Sequence, residues 1–199
     1  MNAEFILASS SVTRRDILEA AGLTFEIKSP NVDEETIKNR LLSEGAAAVA
    51  IASGLAEKKA AEVSARAGNS LVLGADQVLV CEGQVFSKAE NFMQARKSLK
   101  QFRCQRHELI SAMALVRDEK TEWLHVESAE LWVRDFSDAF LDNYLEREGI
   151  DILGSVGCYR IEGRGAQLFE KIIGDQFTIR GLPLLPLLAA LRARGIVQK

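Results

Sequence analysis

Several short stretches carry side chains able to handle a chain of phosphates. Ser9-Ser10-Ser11 followed by Arg14-Arg15 sets hydroxyls, loop amides and two guanidiniums around the apparent start of a helix, where the backbone already favours an anion. Ser9, Ser11, Arg14 and Arg15 could hold a phosphate, or they could be a serine N-cap with two solvated arginines. Asp76 stands in the apolar run from Leu71 to Val80, on one strand face with Val72 and Val78. It is either buried beside a partner or displayed at a strand end, where open α/β sheets place their ligands. The partner could be magnesium bound to a triphosphate, a backbone amide or a lysine. Glu34 and Glu35 offer a second carboxylate, although acids in a first helical turn also serve simply to complement the dipole. Lys59 and Lys88, taken singly, read as surface residues. Glu162, between Arg160 and Arg164, could accept from the N–H edge of a base or pair with an arginine. No serine-histidine-aspartate order and no reactive-cysteine signature occurs, which favours attack by water over covalent catalysis.

These groups need a scaffold, and the apolar periodicity supplies one. Phe5 to Ala8 reads as a strand, with a helix after the serines that Gly22 closes; Phe25 to Lys28 alternates like a second strand. A helix opens near Asp33-Glu34-Glu35, and Ala46 to Ala67, rich in Ala, Glu and Lys, predicts a long helix with a small apolar face. Leu71 to Val80 reads as a buried strand interrupted by Gly74-Ala75-Asp76-Gln77, with a return strand after the Glu82-Gly83 turn. Asn91 to Phe102 is helical, and Glu108 to Val116 with Trp123 to Val133 predicts a long hairpin about a charged turn. Ser137 caps a further helix ended by Gly149, Gly154 to Gly165 is Gly-rich, and Pro183 starts the last helix. Strands alternating with helices and then pairing locally predict an α/β fold: a mixed sheet flanked by helices.

Composition narrows the partners. The 199 residues, 47% of them hydrophobic, suit one domain over residues 1–199, or two tightly fused lobes. A net charge of -3 offers no overall field for nucleic acid or an acidic membrane, so an anion must be held by a local cluster. Three scattered cysteines and two histidines suit reduced thiols and argue against structural zinc; any metal should be a hard, oxygen-bound cation. The start, Met1 to Phe5, is too short and acidic for a signal peptide, and no apolar run approaches the roughly 20 residues of a membrane span. A cytoplasmic location is expected.

In order along the chain, Leu7-Ala8-Ser9-Ser10-Ser11-Val12-Thr13-Arg14-Arg15, Val32-Asp33-Glu34, Leu55-Ala56-Glu57-Lys58-Lys59-Ala60, Gly74-Ala75-Asp76-Gln77-Val78, Ser87-Lys88-Ala89 and Gly157-Cys158-Tyr159-Arg160-Ile161-Glu162-Gly163 resemble the motifs of the Maf-like nucleotide pyrophosphatases. Gly181-Leu182-Pro183 completes a resemblance spanning nearly the whole chain. It implies an elongated mixed α/β fold related to inosine-triphosphate pyrophosphatases. It also implies hydrolysis between the α- and β-phosphates of a nucleoside triphosphate, and suggests a homodimer. Asp76 matches the family's catalytic residue. With Glu34 it would hold Mg2+ or Mn2+ and direct the attacking water, while Ser9, Ser11, Arg14, Arg15, Lys59 and Lys88 would bind the triphosphate.

Of two branches, the one active on dTTP and UTP tends to carry Arg, Thr and Gln where this chain has Thr13, Gln77 and Glu162. The branch active on 7-methyl-GTP has Asp-Gln-Val on the catalytic strand, a Glu before the late Gly, and an extra residue before Arg-Arg; Gln77, Glu162 and the insertion at Thr13 agree with it. Three departures stand out: Val12 in place of the usual Pro, Ser87-Lys88-Ala89 in place of Gly-Lys-Pro, and Thr13 in place of that branch's aromatic residue. The competing readings are a non-catalytic nucleotide-binding regulator of cell division, a dTTP/UTP pyrophosphatase, and a phosphotransferase such as a nucleotide kinase, for which no Gly-x-x-x-x-Gly-Lys-Ser/Thr loop occurs.

Overall fold

The computed structural model describes residues 4–198; the Met1-Asn2-Ala3 start, read above for targeting signals, lies outside them. The apolar run Phe5–Ala8 forms β1, wholly buried, and Ser11 then caps α1 (Val12–Ala20) by accepting from the Arg14 backbone N–H. After the short β2 (Glu26–Ile27), Asp33 caps α2 (Glu34–Ser43), and the alanine-rich stretch forms α3 (Ala48–Ser64). β3 (Leu71–Cys81) and β4 (Gln84–Phe86) precede α4 (Phe92–Phe102). A hairpin of β5 (Arg106–Arg117) and β6 (Lys120–Val133) follows, longer than its apolar residues suggest because Asp118 and Glu119 close it in two residues, both at positive φ. α5 (Asp138–Glu148), β7 (Phe169–Ile173), α6 (Gln176–Ile179) and α7 (Leu184–Ala193) complete the chain.

The seven strands form one mixed sheet in the order β2-β1-β3-β5-β6-β7, with β4 also paired to β3. β1 runs parallel to β2 and β3, and the other pairings are antiparallel. β3 is continuous rather than interrupted: Gly74, Ala75, Asp76 and Gln77 stand opposite Ala114, Met113, Ala112 and Ser111 of β5. The polar pair survives mid-strand because alternation sends the two side chains to opposite faces, each toward its own partners. The other edge of β3 is shared. β1 covers Leu71 to Gly74, β4 covers Leu79 to Cys81, and residues 75–78 have no strand partner there among the described residues.

Helices close both faces. Ile51, Leu55, Ala56, Ala60 and Val63 of α3 pack over Val72, Val78 and Ala112 on one side. Ile17 and Leu18 of α1 join Leu184, Leu187 and Leu191 of α7 over Leu73, Ala75 and Met113 on the other. A further core under α4 and α5 takes in Leu79, Leu109, Leu131 and Tyr159. β3 and β5 contribute to all three cores, so the regions share their strands. On α7 the leucines facing the sheet are buried and Leu185 is exposed, which assigns most of that apolar face to intramolecular packing.

Gly74 sets how closely α3 approaches. A Cβ there would lie 2.1 Å from the Ala56 carbonyl oxygen and 2.8 Å from the Ala60 Cβ, so even alanine would push the helix off the strand. Gly74→Ala should cost about 3 kcal/mol or more, measurable as a fall in the urea midpoint. A second prediction concerns His107, buried on β5 with Nε2 2.7 Å from the Tyr159 hydroxyl and its pKa pushed down by burial to about 4. An unfolded-chain histidine titrates near pH 6.5, so acid protonates the unfolded chain first. The contribution is complete above that pH and is lost as pH falls toward 4, by about 3 kcal/mol from this residue. His107→Gln, which still offers Tyr159 a partner but does not titrate, should flatten the stability profile between pH 6.5 and 4 in urea melts.

Candidate active site

The stretch of β3 left open between β1 and β4 is where the ionic residues meet. α3, drawn close at Gly74, delivers Lys59 with only 5% of its surface exposed. Its Nζ lies 2.7 Å from Asp76 Oδ1 and 2.7 Å from Glu34 Oε2. Asp76 is therefore buried mid-strand beside a lysine, and Lys59 is not the surface residue that its type alone suggests. Glu34 reaches the same ammonium because Asp33 takes over the capping of α2: Asp33 accepts from the Thr36 backbone N–H at 3.0 Å and from the Thr36 hydroxyl at 2.8 Å. Those bonds also hold the Asp33 carboxyl below the usual range.

Arg14 fills the gap at the β3 edge. One terminal nitrogen donates to the Ala75 carbonyl at 2.9 Å and to Ser9 Oγ at 3.4 Å, and Nε donates to the Gly181 carbonyl at 2.9 Å. Desolvation lowers its pKa, and the fields of Asp76 and Glu34 work against that shift, which puts all three groups within one electrostatic neighbourhood. Lys88 belongs to it too: desolvation chiefly, then Arg14, lowers its pKa, while Glu34 and Asp76 raise it. Ser9 and Ser11 serve the loop itself, since Ser9 Oγ accepts from the Ser11 N–H and Ser11 Oγ from the Arg14 N–H. Thr13 lies half-buried on the first turn of α1. Arg15 is engaged by Asp16 at 3.0 Å and Glu19 at 3.7 Å, so Arg14 alone of the pair is drawn to the carboxylates.

A fourth cation, Lys38, was not apparent from the sequence. Its Nζ donates to Ser87 Oγ at 2.6 Å and to the Phe86 carbonyl at 3.1 Å, and it feels the charge of Asp76 although burial lowers its pKa overall. The available signal was its position one helical turn after Glu34. Lys59 thus contacts both carboxylates, Arg14 and Lys88 lie in the field of both, and Lys38 feels Asp76, an arrangement suited to a polyanion that brings a divalent cation with it.

Gln77 faces the other side of the sheet. Its Nε2 donates to Ser111 Oγ at 2.9 Å and to the Thr178 and Ile179 carbonyls at 3.0 and 3.1 Å. These contacts fix the end of α6, and with it the Gly181 carbonyl that Arg14 grips, so the amide nitrogen is occupied by the protein's own backbone. Glu162 pairs with neither flanking arginine. Arg160 and Arg164 turn to Glu148, and Glu162 Oε1 lies 3.6 Å from Nε of Arg180, a nitrogen with no hydrogen-bond partner. Gln77→Leu should leave the Thr178 and Ile179 carbonyls without that donor and lower global stability by about 2 kcal/mol, read as a shift in the urea midpoint at unchanged slope.

The comparisons with known proteins agree with this arrangement of motifs. The nucleoside triphosphate pyrophosphatase of Caulobacter vibrioides is 50% identical over 95% of this chain and 94% of its own length. That of Granulibacter bethesdensis is 47% identical over 95% and 96%. The 7-methyl-GTP pyrophosphatase of Brucella suis is 44% identical over 96% of each. A solved dITP/XTP pyrophosphatase from Mycobacterium abscessus overlays 65% of this chain and 72% of its own at a TM-score of 0.36 and 17% identity, too distant to bear on the site. Residues 4–194 match the family described as Maf-like protein, and the chain belongs to that family.

Proposed function

We propose that the chain hydrolyses the α–β phosphoanhydride of a nucleoside triphosphate, releasing the monophosphate and pyrophosphate. The observation that carries this reading is the convergence of Arg14, Lys59 and Lys88 on Asp76 and Glu34, in a chain whose relatives at 42–50% identity bear pyrophosphatase names. Water attacks the α-phosphorus, the bond from that phosphorus to the bridging oxygen breaks, and the water's proton passes to Asp76. Negative charge then grows on the departing pyrophosphate, where Arg14, Lys59 and Lys88 stabilise it more than they stabilise the substrate. Lys59 must exchange part of its contact with the carboxylates for contact with phosphate. Ser9 and Ser11, already committed to the loop, act by holding Arg14 in place.

The donor set fits a hard divalent cation. Two carboxylates meet here, and among the described residues no three His, Cys, Asp or Glu side chains group as a metal cage. Such a set suits Mg2+ or Mn2+, which take one or two carboxylates and complete their shell with water and phosphate oxygens, and does not suit zinc. Glu34 and Asp76 would hold the ion, which supplies charge neutralisation at the phosphates and a more acidic water.

For the base we favour a guanine ring, including the 7-methylated one, read by Glu162, whose carboxylate can accept from two ring-edge N–H groups. Arg180 would have to yield part of its partner to the base. Gln77 acts at one remove, through α6. A cytoplasmic location suits a nucleotide substrate.

The test is pyrophosphate release from 7-methyl-GTP, GTP, dTTP, UTP, CTP and ITP, with Mg2+ or Mn2+ and with chelator. Release should require the ion, and Asp76→Asn should lower kcat by roughly 10²- to 10⁴-fold with its fold intact by circular dichroism. Glu162→Gln should lower kcat/KM for 7-methyl-GTP more than for UTP. Nucleotide binding without release from any member of the panel would sink the hydrolase reading and leave a binding protein.

A further inference from the structure

α2 carries Glu34, one of the two carboxylates of the site, yet none of its residues is buried. The loop after β4 carries Lys88 and has no regular structure; Phe86 and Ala89 are buried at its ends, while Ser87 and Lys88 between them are exposed. The Ser87-Lys88-Ala89 stretch contains no proline, so no residue of it has a fixed φ. α2 rests on the core only through the partly buried Ile37 and Leu41, and the loop only through Phe86 and Ala89, so a direct tie between them fixes how Glu34 and Lys88 face each other. Lys38 supplies the contact between them. It lies one turn beyond Glu34 on α2, and its ammonium donates at 2.6 Å to the hydroxyl of Ser87, immediately before Lys88, and at 3.1 Å to the Phe86 carbonyl. Ser87 is the residue that gives the lysine a side-chain acceptor.

We infer that Lys38 is a positioning residue, a latch that fastens the Lys88 loop to the helix carrying Glu34. The inference rests on the phosphate-site reading above. The latch brings a second cation to the mouth of the site at the same time, but Lys38 spends its hydrogen bonds on the loop and acts through Lys88. A chain with glycine at position 87 would keep the bond to the Phe86 carbonyl alone.

The test uses the full chain and Lys38→Met, Ser87→Ala, the double variant and Lys38→Arg. Two measurements are made on each: deuterium uptake of the peptide covering residues 86–90, and affinity for inorganic tripolyphosphate by calorimetry. Lys38→Met should speed uptake in that peptide and weaken tripolyphosphate binding roughly 3- to 10-fold. Ser87→Ala should have a smaller effect in the same direction, and the double variant should be no worse than Lys38→Met alone. Lys38→Arg, which can still reach both acceptors, should restore most of the affinity. In turnover, KM should rise with little change in kcat. Unchanged uptake in Lys38→Met overturns the latch. So does weaker binding in Lys38→Met with Ser87→Ala silent, or with the two effects multiplying in the double variant, since either result would mean that the lysine meets phosphate directly. If the wild type neither binds tripolyphosphate nor releases pyrophosphate, the hydrolase reading falls and deuterium uptake decides the latch by itself.

Discussion

β3 has an edge that it must divide between two partners, and the site exists because they do not meet. β1 ends opposite Gly74, and β4, antiparallel, ends opposite Leu79. The Ala75 carbonyl in the interval still needs a donor, because a buried carbonyl left bare costs about 1–3 kcal/mol. Arg14 provides it, and the same guanidinium reaches across to Gly181, so a requirement of backbone hydrogen bonding brings a cation to the middle of the sheet. The opening resembles the crevice at the switch point of an open α/β sheet, here formed where a parallel neighbour gives way to an antiparallel one.

Charge balance follows from the same geometry. Asp76 emerges mid-strand on the α3 face, where it would be a buried carboxylate without a partner if α3 stood at an ordinary distance. Gly74, with Ala56 and Ala60 facing it, removes that distance, and Lys59 arrives as the counterion. Glu34 then shares the ammonium from the solvent side, half of its side chain exposed. One carboxylate is fixed and the other movable, which suits a site that must open to admit phosphate.

How much of this was legible depends on the range of the interaction. The serine loop, the caps at Ser11, Asp33 and Ser137, and the alternation along β3 and β5 are local signals, and the elements lie where those signals put them. The apparent break at Gly74-Ala75-Asp76-Gln77 was misleading because each polar side chain finds its partner from a distant element: Lys59 from α3, and Ser111 and Thr178 from β5 and α6. The contact of Lys38 with Ser87 joins residues 49 apart, and nothing in the spacing announces it. Likewise the arginine beside Glu162 is Arg180, not its neighbours, because Glu148 has already drawn Arg160 and Arg164 toward α5.

The occupied amide of Gln77 bears on what could replace it. Threonine at this position has one hydroxyl proton where Gln77 Nε2 has two protons reaching toward Ser111, Thr178 and Ile179. Changing residue 77 alone would take a donor from the Ile179 carbonyl, while the Thr178 carbonyl keeps the Ser111 hydroxyl and the Gly181 N–H, and would loosen the peptide that Arg14 holds. Residues 77, 111 and 178 therefore act as one anchor, and a replacement at one of them alters the hydrogen bonding of the other two.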